Sequence, residues 1–285
     1  VLTFTKMHGL GNDYVVLDCM RSCPPEAELG ELARTLSDRH FGVGGDGLIL
    51  VLPSRGASFR MRIFNADGSE AEMCGNGVRM FAKYVYEHQL TRDTSLEIET
   101  LAGIIRPQLQ VRGGQVVSVK VDMGVPRLSR KEIPMKGDPP GGRVVLEKIK
   151  VEGERHEVTC LSMGNPHCVL FVDDVSRFPV ERLGVALEHH QLFPKRTNVE
   201  FVQVLGPAEL RMRVWERGVG LTLACGTGAC ASVVAAHLAG KAGRKATVHL
   251  PGGELRVEWR EQDDHVLMSG PATEVFRGEW PLGKP

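Results

Sequence analysis

Two short runs in this 285-residue chain set a nucleophile among glycines in one shared pattern. Met73-Cys74-Gly75-Asn76-Gly77 and Ala224-Cys225-Gly226-Thr227-Gly228 both contain Cys-Gly-x-Gly, about 150 residues apart, and each opens an apolar helical pattern. A sulfur just before a helix stands where the unpaired amides and the helix dipole favour negative charge. Such a position can lower a thiol from about 8.5 to roughly 3.5–7.5. The glycines leave the local backbone bare, so the Gly75 and Gly226 amides can approach a carboxylate closely. Two such sites acting on one small carboxylate would set a sulfur on each side of the adjoining carbon. A thiolate would remove a proton from one face and a thiol would return one to the other, inverting the centre. The amides would stabilise the enediolate that forms. This chemistry needs no metal or cofactor in principle, and the two sulfurs titrate as a coupled pair.

Positioning two such groups requires two similar scaffolds, and the sequence repeats itself accordingly. Met61-Arg-Ile-Phe64 precedes Cys74 by the offset at which Met212-Arg-Val-Trp215 precedes Cys225. Gly11-Asn12 and Gly164-Asn165 each follow a strand-like run, and the loop Gly44 to Leu48 matches the segment Thr197 to Phe201. The period is too long for a solenoid. It indicates a duplicated α/β (α+β) domain: two pseudo-symmetric lobes, each a mostly antiparallel or mixed sheet around one central helix.

Periodicity predicts helices over Glu26 to Arg39, Gly77 to Gln89, Glu181 to His190 and Thr227 to Gly240, the last apolar nearly all round and therefore buried. Strands are expected at Leu2 to Phe4, Tyr14 to Asp18, Leu48 to Leu52, Phe59 to Phe64, Leu96 to Thr100, Ile104 to Val111 and Val116 to Val121. In the second half they are expected at Glu157 to Ser162, Cys168 to Val172, Glu200 to Val204, Arg211 to Trp215, Thr247 to Leu250, Leu255 to Trp259, Val266 to Ser269 and Ala272 to Arg277. Gly137-Asp-Pro-Pro-Gly-Gly142 reads either as a linker or as a hairpin loop.

Composition narrows the function classes. Formal net charge is zero, with no basic block, which argues against nucleic acid or an anionic membrane as partner. No apolar run is long enough for a membrane helix, and no secretory signal is read at the N-terminus. Seven cysteines without a CxxC pair point to free thiols in a reducing cytoplasm. Cys160, Cys168 and Cys230 are read as packing residues, and Cys19 and Cys23 as loop residues open to solvent. Gly42-x-Gly44-x-x-Gly47 fits a dinucleotide fingerprint formally, but it follows a helix and opens a strand, the reverse of the required order.

The residues also carry a resemblance. Phe64 to Arg79 ("FNADGSEAEMCGNGVR") and Glu216 to Ala231 ("ERGVGLTLACGTGACA") closely resemble the two signatures of the diaminopimelate epimerase family. "MHGLGNDYVV" (Met7 to Val16), "SMGNPHCV" (Ser162 to Val169) and "LPGGELRVEW" (Leu250 to Trp259) are similar to it as well, so the likeness runs nearly end to end. The resemblance implies a cofactor-independent epimerase that interconverts L,L- and meso-diaminopimelate in lysine and cell-wall precursor synthesis. It implies a cytoplasmic homodimer with the substrate in a cleft between lobes. It places residues 1–118 with 266–285 in the first lobe and 119–265 in the second.

Carried over residue by residue, Cys74 and Cys225 match the acid/base pair. Gly75, Asn76, Gly226 and Thr227 match the positions whose amides hold the reacting carboxylate. Asn12, Asn65, Asn165 and Asn198 match substrate-contacting asparagines. Glu216 and Arg217 match the distal end of the substrate, and His167 and Glu216 match positions that tune the cysteines. Gly47 stands where some members carry a substrate-touching Gln, leaving only a backbone contact. Asp67 and Glu70 are expected to face away from Cys74, and Arg79 to be a solvated or interlobe charge. Two other readings are weighed. A racemase of proline-type substrates would have His where Asn76 stands, and a thiol redox or binding protein would need a functional disulfide.

Overall fold

The computed structural model describes residues 1–281. Contacts divide the chain into one unit of Val1–Val121 with the residues from Ser269 onward, and a second of Asp122–Met268. The expected crossings, after residues 118 and 265, fall slightly earlier. Residues 282–285, expected with the first unit, lie outside the described residues.

The first unit is a mixed sheet in the order Thr273–Trp280, Leu2–Gly9, Asn12–Asp18, Gly47–Leu52, Phe59–Asn65, Ile98–Thr100, Gly103–Ile105, with Glu70–Ala71 paired on Phe59–Asn65. The second repeats it with Val144–Val151, Glu154–Ser162, Pro166–Phe171, Asn198–Gly206, Glu209–Glu216, Lys245–Leu250, Gly253–Trp259, and Gly220–Thr222 on Glu209–Glu216. The pairings agree strand for strand. Asn12–Asp18 with Gly47–Leu52 is parallel, as is Pro166–Phe171 with Asn198–Gly206. Phe59–Asn65 with Ile98–Thr100 is parallel, as is Glu209–Glu216 with Lys245–Leu250.

A parallel pair cannot be closed by a tight turn and needs a crossover, here a helix each time. The crossovers are α1 (Leu29–Ser37), α2 (Gly75–Glu87), α3 (Val180–Glu188) and α4 (Gly226–Leu238). α1 and α3 are both 9 residues long, α2 and α4 both 13, and each pair is displaced by the spacing that separates Cys74 from Cys225. Both cysteines therefore sit at the N-terminus of the second crossover helix of their own unit.

The sheets wrap α2 and α4. α4 packs against six strands of its unit, and Gly226, Gly228 to Ala236 are buried, as its all-round apolar pattern predicts. α2 buries one broad face, with Phe81 fully enclosed and its ring 6.2 Å from that of Phe59. α3 carries Gly184 where it crosses Trp215: a Cβ there would lie 2.6 Å from the Trp215 Cβ. Among the described residues, no helix is long and apolar enough to cross a membrane.

Several boundaries differ from expectation for local reasons. The Leu2 strand runs to Gly9 and turns back through Leu10 and Gly11 (φ 59° and 90°), the left-handed pair of a two-residue hairpin turn. Glu26–Glu28 is a 3-10 turn leading into α1, and Asp38 ends that helix by accepting the His40 and Phe41 amides. The strand expected over Ile104 to Val111 is two, because Pro107 lacks the amide to continue the ladder. Gly137 to Gly142 lies inside the second unit, leading into Val144–Val151, a strand that the sequence reading passed over.

Phe81→Ala should cost about 3–5 kcal/mol of stability, since it empties a closed core position. Val185→Ala, on the exposed face of α3, should stay within about 0.5 kcal/mol. Urea unfolding of the two variants measures both.

Candidate active site

The two cysteine motifs fold identically at the backbone. Cys74 and Cys225 are extended N-cap residues (φ −140°, ψ 120° and φ −127°, ψ 111°). The sulfur takes the place usually held by a Ser or Asp oxygen and accepts from the third helical amide. Gly77 N donates to the Cys74 Sγ at 3.5 Å and Gly228 N to the Cys225 Sγ at 3.4 Å. Glycine at that third position makes room. A Cβ on Gly228 would stand 2.8 Å from Glu200 Oε1, and one on Gly77 3.2 Å from Ile63 Cδ1.

In the first unit the Asn76 amide and the Tyr14 hydroxyl also favour the charged form of the Cys74 sulfur. Asn12 is oriented from behind. Its Nδ2 donates to Asp46 Oδ2 at 2.6 Å, and a carboxylate only accepts, so Asn12 Oδ1 turns toward Cys74 (Sγ to Oδ1 3.7 Å) and accepts from Asn76 Nδ2 at 3.1 Å. Asp46 is itself held by Arg39 and by the Asp13 amide. Arg79, expected to be a solvated or interlobe charge, is fully buried and so not solvated. It donates to Asn76 Oδ1 (2.8 Å), Gly75 O (3.4 Å) and Pro271 O (3.2 Å), so its charge stands behind the helix N-terminus. Asp67 and Glu70 are exposed, as expected. Asn65 donates to Ser69 Oγ at 3.0 Å.

Gly47 is closed to any side chain. A Cβ would stand 2.1 Å from Phe64 O and 2.8 Å from Tyr14 Cε1, so the Phe64 carbonyl and the Tyr14 ring together fill the space beside it.

In the second unit a chain of polar contacts leads to Cys225. Glu200 Oε1 meets His167 Nδ1 at 2.7 Å, and His167 Nε2 meets Asn165 Oδ1 at 3.0 Å. Asn165 Nδ2 donates to Thr227 Oγ1 at 3.2 Å, and Thr227 Oγ1 lies 3.5 Å from the Cys225 sulfur. His167 and Glu200 are fully buried, and Glu200 Oε2 has no hydrogen-bond partner. Glu216 accepts from Thr222, and Arg217 is exposed with its guanidinium on Lys195 O. Asn198 is buried, with its amide tying Pro166 O to the Arg217 backbone. One acceptor site and one donor of that amide are therefore engaged within the fold.

The titration of the thiols differs from the sequence-based expectation. Burial pushes the Cys74 thiol up, and the Gly77 and Asn76 amides, the Tyr14 hydroxyl and Arg79 lower it without overcoming that effect. Cys225 is pushed well above its ordinary value, first by burial, then by the Glu216 and Glu200 carboxylates, against lowering by Thr227 and the Gly228 amide. A helix N-terminus favours a thiolate, but loss of water around the sulfur outweighs it in the ligand-free protein.

Sequence reading missed Tyr14 and Glu200. Glu200 had a signal: a lone carboxylate in the apolar run Val199 to Val202. Tyr14 had a weaker one, lying two residues after Asn12 and so on the same strand face. Cys19, expected to be open to solvent, is buried, while Cys23 is exposed. Among the described residues no group of three or more His, Cys, Asp or Glu side chains is placed to hold a metal ion.

Comparison with known proteins follows both motifs. The family model described as diaminopimelate epimerase matches residues 4–129 and 159–275. The diaminopimelate epimerase of Moorella thermoacetica is 60% identical over 279 residues, covering 98% of this chain and 99% of that one. That of Methanococcus maripaludis strain C5 is 51% identical over 278 residues, covering 98% and 99%. Solved structures share the fold at low identity. A phenazine biosynthesis protein of the PhzF family from Bacillus anthracis has a TM-score of 0.72 and 17% identity, over 99% of each chain. A hydroxyproline epimerase from Agrobacterium vitis has a TM-score of 0.68 and 16% identity, over 100% of this chain and 93% of that one. With a family model covering both cysteine motifs and relatives identical at more than half of their positions, the chain belongs to the diaminopimelate epimerase family.

Proposed function

We propose that this chain interconverts L,L- and meso-diaminopimelate without a cofactor, with Cys74 and Cys225 as its two proton carriers. The observation that carries this reading is the pair of sulfur-capped helices. Each unit offers one sulfur held by the amides of a bare glycine turn, and the family membership names the substrate. In the reaction, one thiolate breaks the α-carbon–hydrogen bond and becomes a thiol. The other thiol gives its proton to the opposite face and becomes a thiolate. The Gly75-Asn76 and Gly226-Thr227 amides hold the carboxylate, where they stabilise the enediolate's added charge. Asn12, Asn65, Asn165 and Asn198 orient the amino and carboxylate groups, Gly47 contributes backbone, and Glu216 and Arg217 take the distal amino-acid end. His167 and Glu216 tune Cys225. The family resemblance supports a homodimer in the cytoplasm.

The two sulfurs are unequal in the free enzyme. Donors and a guanidinium face Cys74, whereas two carboxylates act on Cys225. Cys74 is therefore the readier thiolate and Cys225 the readier thiol. A bound substrate brings an ammonium group whose charge favours the thiolate form that burial disfavours.

Cys74→Ala and Cys225→Ala should each lower epimerisation by at least about a hundredfold. In heavy water the wild type should place solvent deuterium at the inverted centre. A single variant with near wild-type turnover, or inversion that retains the original hydrogen, would contradict the scheme. A proline-type competitor in the same assay tests the substrate class.

The pH dependence has a definite sign. Because the Glu216 carboxylate pushes the Cys225 thiol up, Glu216→Gln should let Cys225 deprotonate at lower pH. Alkylation of Cys225, followed by peptide mass spectrometry, should reach its midpoint earlier in the variant. A midpoint that is unchanged or higher would show that Glu216 does not act on that sulfur.

A further inference from the structure

We propose that Tyr14 is a positioning residue for this reaction, its hydroxyl donating to the Cys74 sulfur and holding that sulfur ready as the base. The inference rests on the two-thiol reading above and adds a residue to it.

Duplication carries the argument first. Tyr14 lies two residues after Asn12, as His167 lies two after Asn165. Tyr14 is the parallel-register partner of Gly47, as His167 is of Asn198, and Gly47 and Asn198 are separated by the cysteine spacing. The fold therefore sets Tyr14 in the first unit where it sets His167 in the second. Period-two alternation turns Asn12 and Tyr14 to the same sheet face.

Geometry carries it next. The Tyr14 ring is buried, 5% exposed, on the strand face of Asn12, whose Oδ1 lies 3.7 Å from the Cys74 sulfur, and Cys74 and Asn12 both act on the Tyr14 hydroxyl. Space for the ring is provided at Gly47, where a Cβ would stand 2.8 Å from Tyr14 Cε1. When the sulfur is a thiolate its charge, together with burial, pushes the phenol up, so the hydroxyl stays protonated and remains a donor. Asn12 Oδ1 is the complementary group, an acceptor within reach when the sulfur carries its proton. Cys74 thus has a partner in either protonation state.

The test is the isosteric Tyr14→Phe, which removes only the hydroxyl. Iodoacetamide labelling of the Cys74 peptide, measured across pH by mass spectrometry without substrate, should show its midpoint raised by about one pH unit or more. The Cys225 midpoint should not move, whereas a merely structural change would alter the extent of labelling and not one midpoint alone. The acid limb of kcat/KM should shift the same way, with kcat/KM near neutrality down about tenfold. Replacing the three tyrosines by 3-fluorotyrosine, whose phenol is a stronger donor, should lower the Cys74 midpoint in a chain that keeps its hydroxyl. An unmoved Cys74 midpoint in both proteins, with wild-type epimerisation intact, overturns the role of Tyr14 alone. A shifted midpoint in a chain whose wild type does not epimerise diaminopimelate sinks the proposed function and leaves the Tyr14–Cys74 contact standing.

Discussion

The structure depends on a sulfur doing the work of a helix cap. A Ser or Asp cap accepts from the third helical amide and needs nothing more. A sulfur in that place gains the same donors but remains reactive, and its charge is decided by a contest between amides and desolvation. In both units desolvation wins when no ligand is present. The glycine turn still matters, because it leaves the unpaired amides of each helix N-terminus uncovered by side chains. The neighbouring sheets exist to hold that turn. Each parallel pair needs a crossover helix, and in each unit the second crossover begins at the cysteine.

Gene duplication explains the shared frame, and divergence within it explains the difference between the sulfurs. Tyr14 and His167 occupy one equivalent place, and Ile49 and Glu200 another: a Cβ on Gly77 would lie 3.5 Å from Ile49 Cδ1, and one on Gly228 2.8 Å from Glu200 Oε1. Arg79 and Cys230 are the corresponding pair one turn into α2 and α4. The first unit thus surrounds its sulfur with a phenol, an aliphatic chain and a guanidinium, the second with an imidazole–carboxylate pair. Two copies of one backbone therefore hold their sulfurs in different electrostatic surroundings, one thiol pushed up and the other pushed up further.

Much of this was legible in the sequence. Cys-Gly-x-Gly before an apolar run gave the caps, the matched Met-Arg offsets gave the duplication, and the apolar pattern of Ala229 to Leu238 gave a wrapped helix. What escaped reading depends on depth. Arg79 looks like a surface charge on a helical face, and only its contacts with Asn76, Gly75 and Pro271 show it enclosed. The direction of the thiol shift is a matter of burial, which no motif encodes. Gly47 reads as a lost side chain until the Phe64 carbonyl and the Tyr14 ring are seen filling that space. Strand Val144–Val151 was obscured by the Pro-Gly punctuation just before it, which marks a loop equally well inside a domain and between domains.

The claim at the centre is that two caps of the same geometry hold their protons with different strength. Difference infrared spectroscopy of the S–H stretch tests it directly, with Cys74→Ser and Cys225→Ser spectra subtracted from wild type across a pH titration. The account expects the Cys74 band to vanish at distinctly lower pH than the Cys225 band. Bands that vanish together, or Cys225 first, would contradict it.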